Sequence, residues 1–227
     1  MTTLAERYSA LKASLPQGVE LIAVSKTRTV DEIKALYDLG HRAFGENYPQ
    51  ELKDKQPQLP PDIQWHFIGH LQTNKVKHIA PFVHLVHSCD SERVLDELDK
   101  RARACARTIA VLLQVHVAKE ETKHGFAIEE LEPILPQFND RWPNLRMEGL
   151  MAMASLTDDM EQVGRELGSV KALFDRIRTS GILPTEQFKT LSMGMSSDLP
   201  VALAKGTTMV RIGTALFGER PRPVEKP

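Results

Sequence analysis

Eight short apolar runs alternate with segments of helical period, and that alternation constrains the fold more than any other feature of the chain. The runs are Glu20–Val24, Arg42–Phe44, Trp65–Ile68, Val83–His87, Thr108–His116, Leu145–Met151, Phe188–Leu191 and Met209–Ile212. The first is continuous rather than alternating, as expected of a strand covered on both faces. Thr29 and Glu32 form a capping box for the helix that follows it, Ile33, Leu36 and Leu39 give that helix an apolar stripe, and Gly40 ends it. Further helices are predicted from near Thr73 to just before Pro81, and over Ser91–Arg107, Thr157–Thr179 (closing at Gly181) and about Ser197–Lys205.

A doubly wound open sheet rarely keeps this alternation for eight strands, whereas a (β/α)8 barrel requires it. The fold class is therefore α/β, a single TIM-type barrel with an extra helix at Leu4–Ser14. Only the Pro-containing tail Arg220-Pro-Arg-Pro follows the last strand, so the extra helix is expected to take the place of the missing eighth one. Residues 1–227 read as one domain, with 218–227 as the tail.

The bulk numbers agree. With 227 residues, 41% hydrophobic and 26% charged, the chain can build one sizeable core. A formal net charge of −1 argues against a surface built to neutralise nucleic-acid phosphate or an anionic membrane. The basic cluster Lys100–Arg107 is interleaved with Ala and reads as the wet face of a helix. Cys89 and Cys105 form no framework, which fits two reduced thiols in a cytoplasmic compartment. No segment has the length and apolarity of a bilayer span, and the N-terminus lacks a signal core. No strong apolar surface stripe stands out, and a monomer is expected.

In such a barrel the site is built from the C-terminal ends of the strands. Strand one ends in Ser25-Lys26, strand two in Gly45-Glu46-Asn47, and strand six in Met151-Ala-Met153. Ser192-Met-Gly-Met-Ser-Ser197 follows strand seven, and strand eight carries Arg211 ahead of Gly213-Thr214. A lysine behind Leu-Ile-Ala-Val either snorkels to solvent or offers a desolvated, nucleophilic amine. Arg211, inside Met-Val-Arg-Ile-Gly, either closes a structural ion pair or meets the electron-rich atom of a ligand. The loops after strands seven and eight have the glycines and hydroxyls of a phosphate cup, with a helix start expected near Ser196. Amine, cup and arginine together describe a pyridoxal 5′-phosphate site.

The segments Ala23-Val-Ser-Lys-Thr27, Phe44-Gly-Glu-Asn-Tyr48, Trp65-His-Phe-Ile-Gly69, Leu71-Gln-Thr-Asn-Lys75, Gly149-Leu-Met-Ala-Met153, Leu191-Ser-Met-Gly-Met-Ser196 and Val210-Arg-Ile-Gly-Thr214 resemble the pyridoxal phosphate homeostasis protein family. That family has a single barrel similar to the N-terminal domain of alanine racemase. The resemblance implies that Lys26 holds the cofactor as an imine and that Arg211 faces its ring nitrogen. It also implies that Ser196, Gly213 and Thr214 hold the phosphate with backbone help near Met195, and that Asn47 lines the pocket. Strand five departs from the pattern, reading Gln114-Val-His116 where Gln-Val-Asn is expected, and no role is assigned to it.

Other candidates read as structural. His84 and His87 lie three apart on a strand and so face opposite sides. His66 and His70 flank a glycine turn with no Cys or carboxylate at ligand spacing, and no metal site is expected. Glu120–His124 is a charged loop, and Met147–Met153 is core, with Met153 within reach of the cofactor.

The implied role is to bind and buffer the cofactor, with delivery to pyridoxal-phosphate-dependent apoenzymes as its extension. The alternative is a small racemase-like enzyme. Racemisation needs two acid/base groups on opposite faces of the imine. The only tyrosines are Tyr8, Tyr37 and Tyr48, two on helices and one starting a helix, and an arginine is too weak an acid to protonate the ring nitrogen.

Overall fold

The computed structural model describes residues 2–120 and 124–219. Eight parallel strands close in sequence order into a barrel: β1 (Glu20–Val24), β2 (Ala43–Glu46), β3 (Gln64–Phe67), β4 (Leu85–Cys89), β5 (Ile109–Val115), β6 (Leu145–Ala152), β7 (Thr190–Ser192) and β8 (Met209–Ile212). Closure is made by β8 against β1, with Leu21 opposite Val210 and Ile22 opposite Arg211.

Period-two alternation sorts the strands into two layers, with its phase shifted at the register irregularities in β4 and between β5 and β6. Leu21, Ala23, Trp65, Phe67, Val86, Leu113, Val115, Val210 and Ile212 face the outer core, where the helices pack. Ile22, Ala43, Leu85, Ala110, Leu112, Met151 and Met209 form a separate inner cluster. His66, His87, Gln114 and Arg211 alternate with the outward residues and so belong to the inner layer; all four are buried. The apolar runs look continuous in the sequence because both faces of each strand are covered.

The helices are α1 (Leu4–Ser14), α2 (Val30–Asp38), α3 (Pro49–Lys55), α4 (Glu92–Ala104), α5 (Ile128–Ile134), α6 (Phe138–Arg141), α7 (Met160–Ser180), α8 (Leu199–Ala204) and α9 (Thr214–Phe217). Thr29 and Glu32 make the expected capping box, and Gly181 closes α7 in the left-handed conformation (φ 72°). Several boundaries differ from those the sequence predicts. Between β3 and β4 stands only a 3₁₀ turn, Thr73–His78. β4 runs from Leu85, not Val83, whose N–H is spent on Ile79 O; the first bond to β3 is from His84 N–H to Trp65 O. α7 starts at Met160 rather than Thr157, capped by Asp159, whose side chain accepts from Gln162 N–H. Phe188 precedes β7 and stacks on Phe174 of α7 instead of joining the ladder.

The extra N-terminal helix presents Leu4, Tyr8, Leu11 and Leu15 to the outer core. The element after β8 is the single turn α9, and α1 packs beside it, with Arg7 Nε donating to Leu216 O at 2.7 Å. The tail Arg220-Pro-Arg-Pro lies outside the described residues, as do 121–123 of the charged loop.

Candidate functional site

Lys26 leaves β1 on a turn whose backbone is clamped from behind. Lys55 Nζ donates to Ser25 O (2.9 Å), to Glu46 Oε1 (2.8 Å) and to Glu51 Oε1 (2.6 Å). Glu51 Oε1 also accepts from Thr27 N–H (2.6 Å), and Ser25 Oγ donates to Glu46 Oε1 (2.6 Å). Thr27 has φ 63°, a left-handed conformation costly for a β-branched residue, and these bonds hold it there. Glu46 is fully buried, and that burial raises its pKa against the pull of Lys55; its Oε2 has no hydrogen-bond partner. Buried Arg28 spans from the same turn to α9, pairing with Glu32 (3.1 Å) and lying over the Phe217 ring.

Arg211 is buried on β8, the strand that neighbours β1. Nη1 donates to Ser192 O (2.8 Å) and Ser192 Oγ (2.6 Å), and Nη2 to Ala152 O (3.0 Å). The structural ion pair is not what holds it: among the described residues no carboxylate lies within salt-bridge distance, and Asp198 acts on it only at longer range. Burial pushes its pKa down to about 10, so at neutral pH it remains a cation that can donate but not accept.

A polar chain continues inward from this arginine. Ser192 Oγ lies 3.0 Å from His87 Nδ1, and His87 Nε2 lies 2.9 Å from His66 Nδ1. Burial drives both histidines toward the neutral form, His66 to a pKa of about 3. His66 Nε2 ends the chain without a partner, so the expected satisfied structural histidine is satisfied at one nitrogen only. The sequence carried no signal for this chain, because its members come from three different strands.

All seven residues expected at the site line one cavity of about 290 Å³: Lys26, Asn47, Met195, Ser196, Arg211, Gly213 and Thr214. Val24, Ile68, Met153 and Ser197 complete the lining. Asn47 Oδ1 is buried with no hydrogen-bond partner. Its position depends on Gly69, where a Cβ would come within 2.3 Å of Asn47 O.

One expected feature of the cup is altered. The helix after β7 starts at Leu199 rather than near Ser196, with Pro200 in its first turn. Asp198 stands before it, and its Oδ1 accepts from Met195 N–H at 2.6 Å. The Met195 amide is therefore already engaged, which leaves the hydroxyls of Ser196, Ser197 and Thr214 and the backbone at Gly213 as donors toward the cavity.

Fold and site together define a closed barrel of alanine racemase type with an amine, a buried guanidinium and a hydroxyl-rich loop pair at its mouth. The profile described as "Alanine racemase, N-terminal domain" matches residues 1–221. Proteins named pyridoxal phosphate homeostasis protein are 39% identical over 231 residues in Pseudomonas aeruginosa (97% of each chain) and 36% identical over 220 residues in Pasteurella multocida (94% of this chain, 92% of that one). The solved structure of PipY from Synechococcus elongatus with PLP bound superposes with a TM-score of 0.87 at 34% identity, covering 95% of this chain and all of that one. The chain belongs to the pyridoxal phosphate homeostasis protein family.

Proposed function

We propose that the chain binds pyridoxal 5′-phosphate at the barrel mouth, tethers it on Lys26 and serves the intracellular supply of the cofactor. The observation that carries this reading is the convergence of Lys26, Arg211 and the hydroxyls of Ser196 and Thr214 on one cavity, with the unpartnered Asn47 Oδ1 beside them. The donor set fits the group. Lys26 supplies an amine for the aldehyde, with water as the leaving molecule. Ser196, Gly213 and Thr214 supply hydrogen bonds for the phosphate, and Val24, Ile68 and Met153 are apolar surfaces for the ring. Arg211, a donor only, suits an unprotonated ring nitrogen.

The cofactor's chemistry, when bound, is that of an electron sink, which an unprotonated ring nitrogen weakens. Two further observations favour holding over turnover. Among the described residues lining the cavity, Lys26 and Arg211 are the only side chains with an acid/base group, and a guanidinium does not give up its proton. The tyrosines stand elsewhere: Tyr37 donates to Asp62, Tyr8 lies beside His41, and Tyr48 is exposed before α3. Family relatives are named for homeostasis of the cofactor. Delivery to apoenzymes belongs to the same proposal, as do a cytoplasmic location and a monomeric state. Cys89 and Cys105, neither in a disulfide, support the reducing compartment.

Borohydride reduction of the purified, cofactor-loaded protein followed by peptide mass mapping tests the tether. A pyridoxyl adduct on Lys26 is expected, and Lys26→Ala should lose the imine absorbance while keeping the far-UV circular dichroism. An adduct elsewhere, or an unchanged spectrum in the variant, overturns the assignment. Incubation with L-alanine tests the racemase alternative: formation of the D-enantiomer well above the rate with cofactor alone would replace the carrier reading.

A further inference from the structure

Three loops at the C-terminal end of the barrel bring His70, Asp90 and His124 together, outside the lining of the cavity described above. His70 follows β3, Asp90 follows β4, and His124 lies just ahead of the bridge between Phe126 and the end of β5. One donor atom from each side chain lies within 4.8 Å of the other two. His70 Nδ1 is 2.9 Å from Asp90 Oδ2, and the two imidazoles are stacked with centroids 3.8 Å apart and an interplanar angle of 16°. The carboxylate that His70 lacks at sequence spacing is thus supplied by the next strand.

The backbone holds this arrangement in place. Gly69 seats the His70 turn directly on Asn47, in space that a side chain would fill. Gly125 (φ 143°) lies against the end of β5, where a Cβ would be 2.7 Å from His116 N. Phe126 N–H donates to Gln114 O (2.8 Å), His116 N–H to Phe126 O (2.9 Å), and Gln114 Nε2 to His124 O (2.7 Å). The buried Gln114 side chain is thus a brace for the loop that presents His124. The Asp90 side chain is 6% exposed, with Ser91 Oγ on its other oxygen, so its orientation is restricted.

We propose that His70, Asp90 and His124 form a three-donor site for a borderline divalent transition ion such as Zn²⁺, with water completing the coordination. Two imidazoles and one carboxylate suit Zn²⁺ and its neighbours, whereas Ca²⁺ and Mg²⁺ prefer all-oxygen sets. Bond lengths of about 2.0–2.2 Å require donor separations near ~3.4 Å, between the 2.9 Å of His70 Nδ1 to Asp90 Oδ2 and the 4.8 Å bound of the set, an adjustment within reach of rotation of the two exposed imidazoles. Three protein donors leave a position open, and the exposed imidazoles give the ion a path from solvent. The site is independent of the cofactor reading.

Calorimetric titration of tag-free, chelator-treated and dialysed protein with Zn²⁺ tests the site, and Co²⁺ adds a visible-absorption signature of tetrahedral coordination. The expected result is one equivalent per chain, with affinity falling in His70→Ala, in His124→Ala and in Asp90→Asn by at least the about 10–100-fold that loss of a group supporting a ligand costs. His124 is exposed, so its replacement leaves the fold intact, which circular dichroism checks. Absence of saturable binding overturns the proposal, as does binding of equal strength in the two histidine variants, which would place the ion on other donors.

Discussion

Ser192 Oγ accepts a 2.6 Å hydrogen bond from Arg211 Nη1, while the backbone oxygen of the same serine accepts from the same nitrogen at 2.8 Å. One residue of β7 therefore aims the guanidinium of β8 into the cavity. The hydroxyl also faces His87 at 3.0 Å, which couples the aim of Arg211 to the neutral histidines in the barrel interior.

Ser192→Ala should weaken binding of pyridoxal 5′-phosphate by about tenfold or more, the usual worth of a hydrogen bond to a charged group. The readout is a titration of the imine absorbance against added cofactor, with the unfolding midpoint of the ligand-free protein as control. Unchanged affinity would show that the two carbonyls alone orient Arg211.

Lys55→Met removes the counter-charge of a carboxylate whose second oxygen already lacks a partner. A loss of about 3–5 kcal/mol in urea unfolding is expected, the range for a buried charge left alone. Adding Glu46→Gln should restore a substantial part of it. If the double variant is as unstable as the single one, the cost lies in lost packing and not in the orphaned charge.

Gly149→Ala should be more damaging than Gly181→Ala. A Cβ at Gly149 would lie 1.7 Å from Thr190 O, so β6 and β7 must part, whereas at Gly181 the same atom meets open space. Expected losses are about 1 kcal/mol at Gly181, from the left-handed backbone alone, and about 3 kcal/mol or more at Gly149, from overpacking added to strain. Chemical denaturation of the two variants checks the order.

Stability should fall as pH drops below 6.5. Burial holds His41 at about 4 and His66 at about 3, against 6.5 for each in the unfolded chain, and His87 well below that value. Below 6.5 the unfolded state therefore binds more protons than the folded one, which favours unfolding. Each histidine contributes a slope of about 1.4 kcal/mol per pH unit, His41 down to about pH 4 and His66 to about pH 3. Glu46, with its raised pKa, acts in the opposite direction, but it stands against three histidines. Urea midpoints at constant ionic strength should decline from pH 7 to pH 5; a rise on acidification contradicts the assignment of neutral buried histidines.

The barrel was legible because its strands are short, apolar and punctuated, and each seats its outward residues under a helix. Two of the misplaced boundaries share a cause: the first residue of a run goes to a partner outside the ladder, as when Val83 turns to Ile79 or Phe188 to Phe174. The start of α8 was legible but misread, since Asp198-Leu-Pro200 is a helix-start signal stronger than Ser196.

The sequence by itself determined the order of elements, the α/β class and the seven residues that line the cavity, because each of these is written locally at the end of a strand. Only the tertiary structure decided what those residues face. It placed Asp198 on the Met195 amide, ran Arg211 through Ser192 to His87 and His66, and set His70 beside Asp90 and His124. These contacts join residues on different strands and loops. Barrel closure fixes their distances, and no spacing along the chain encodes them.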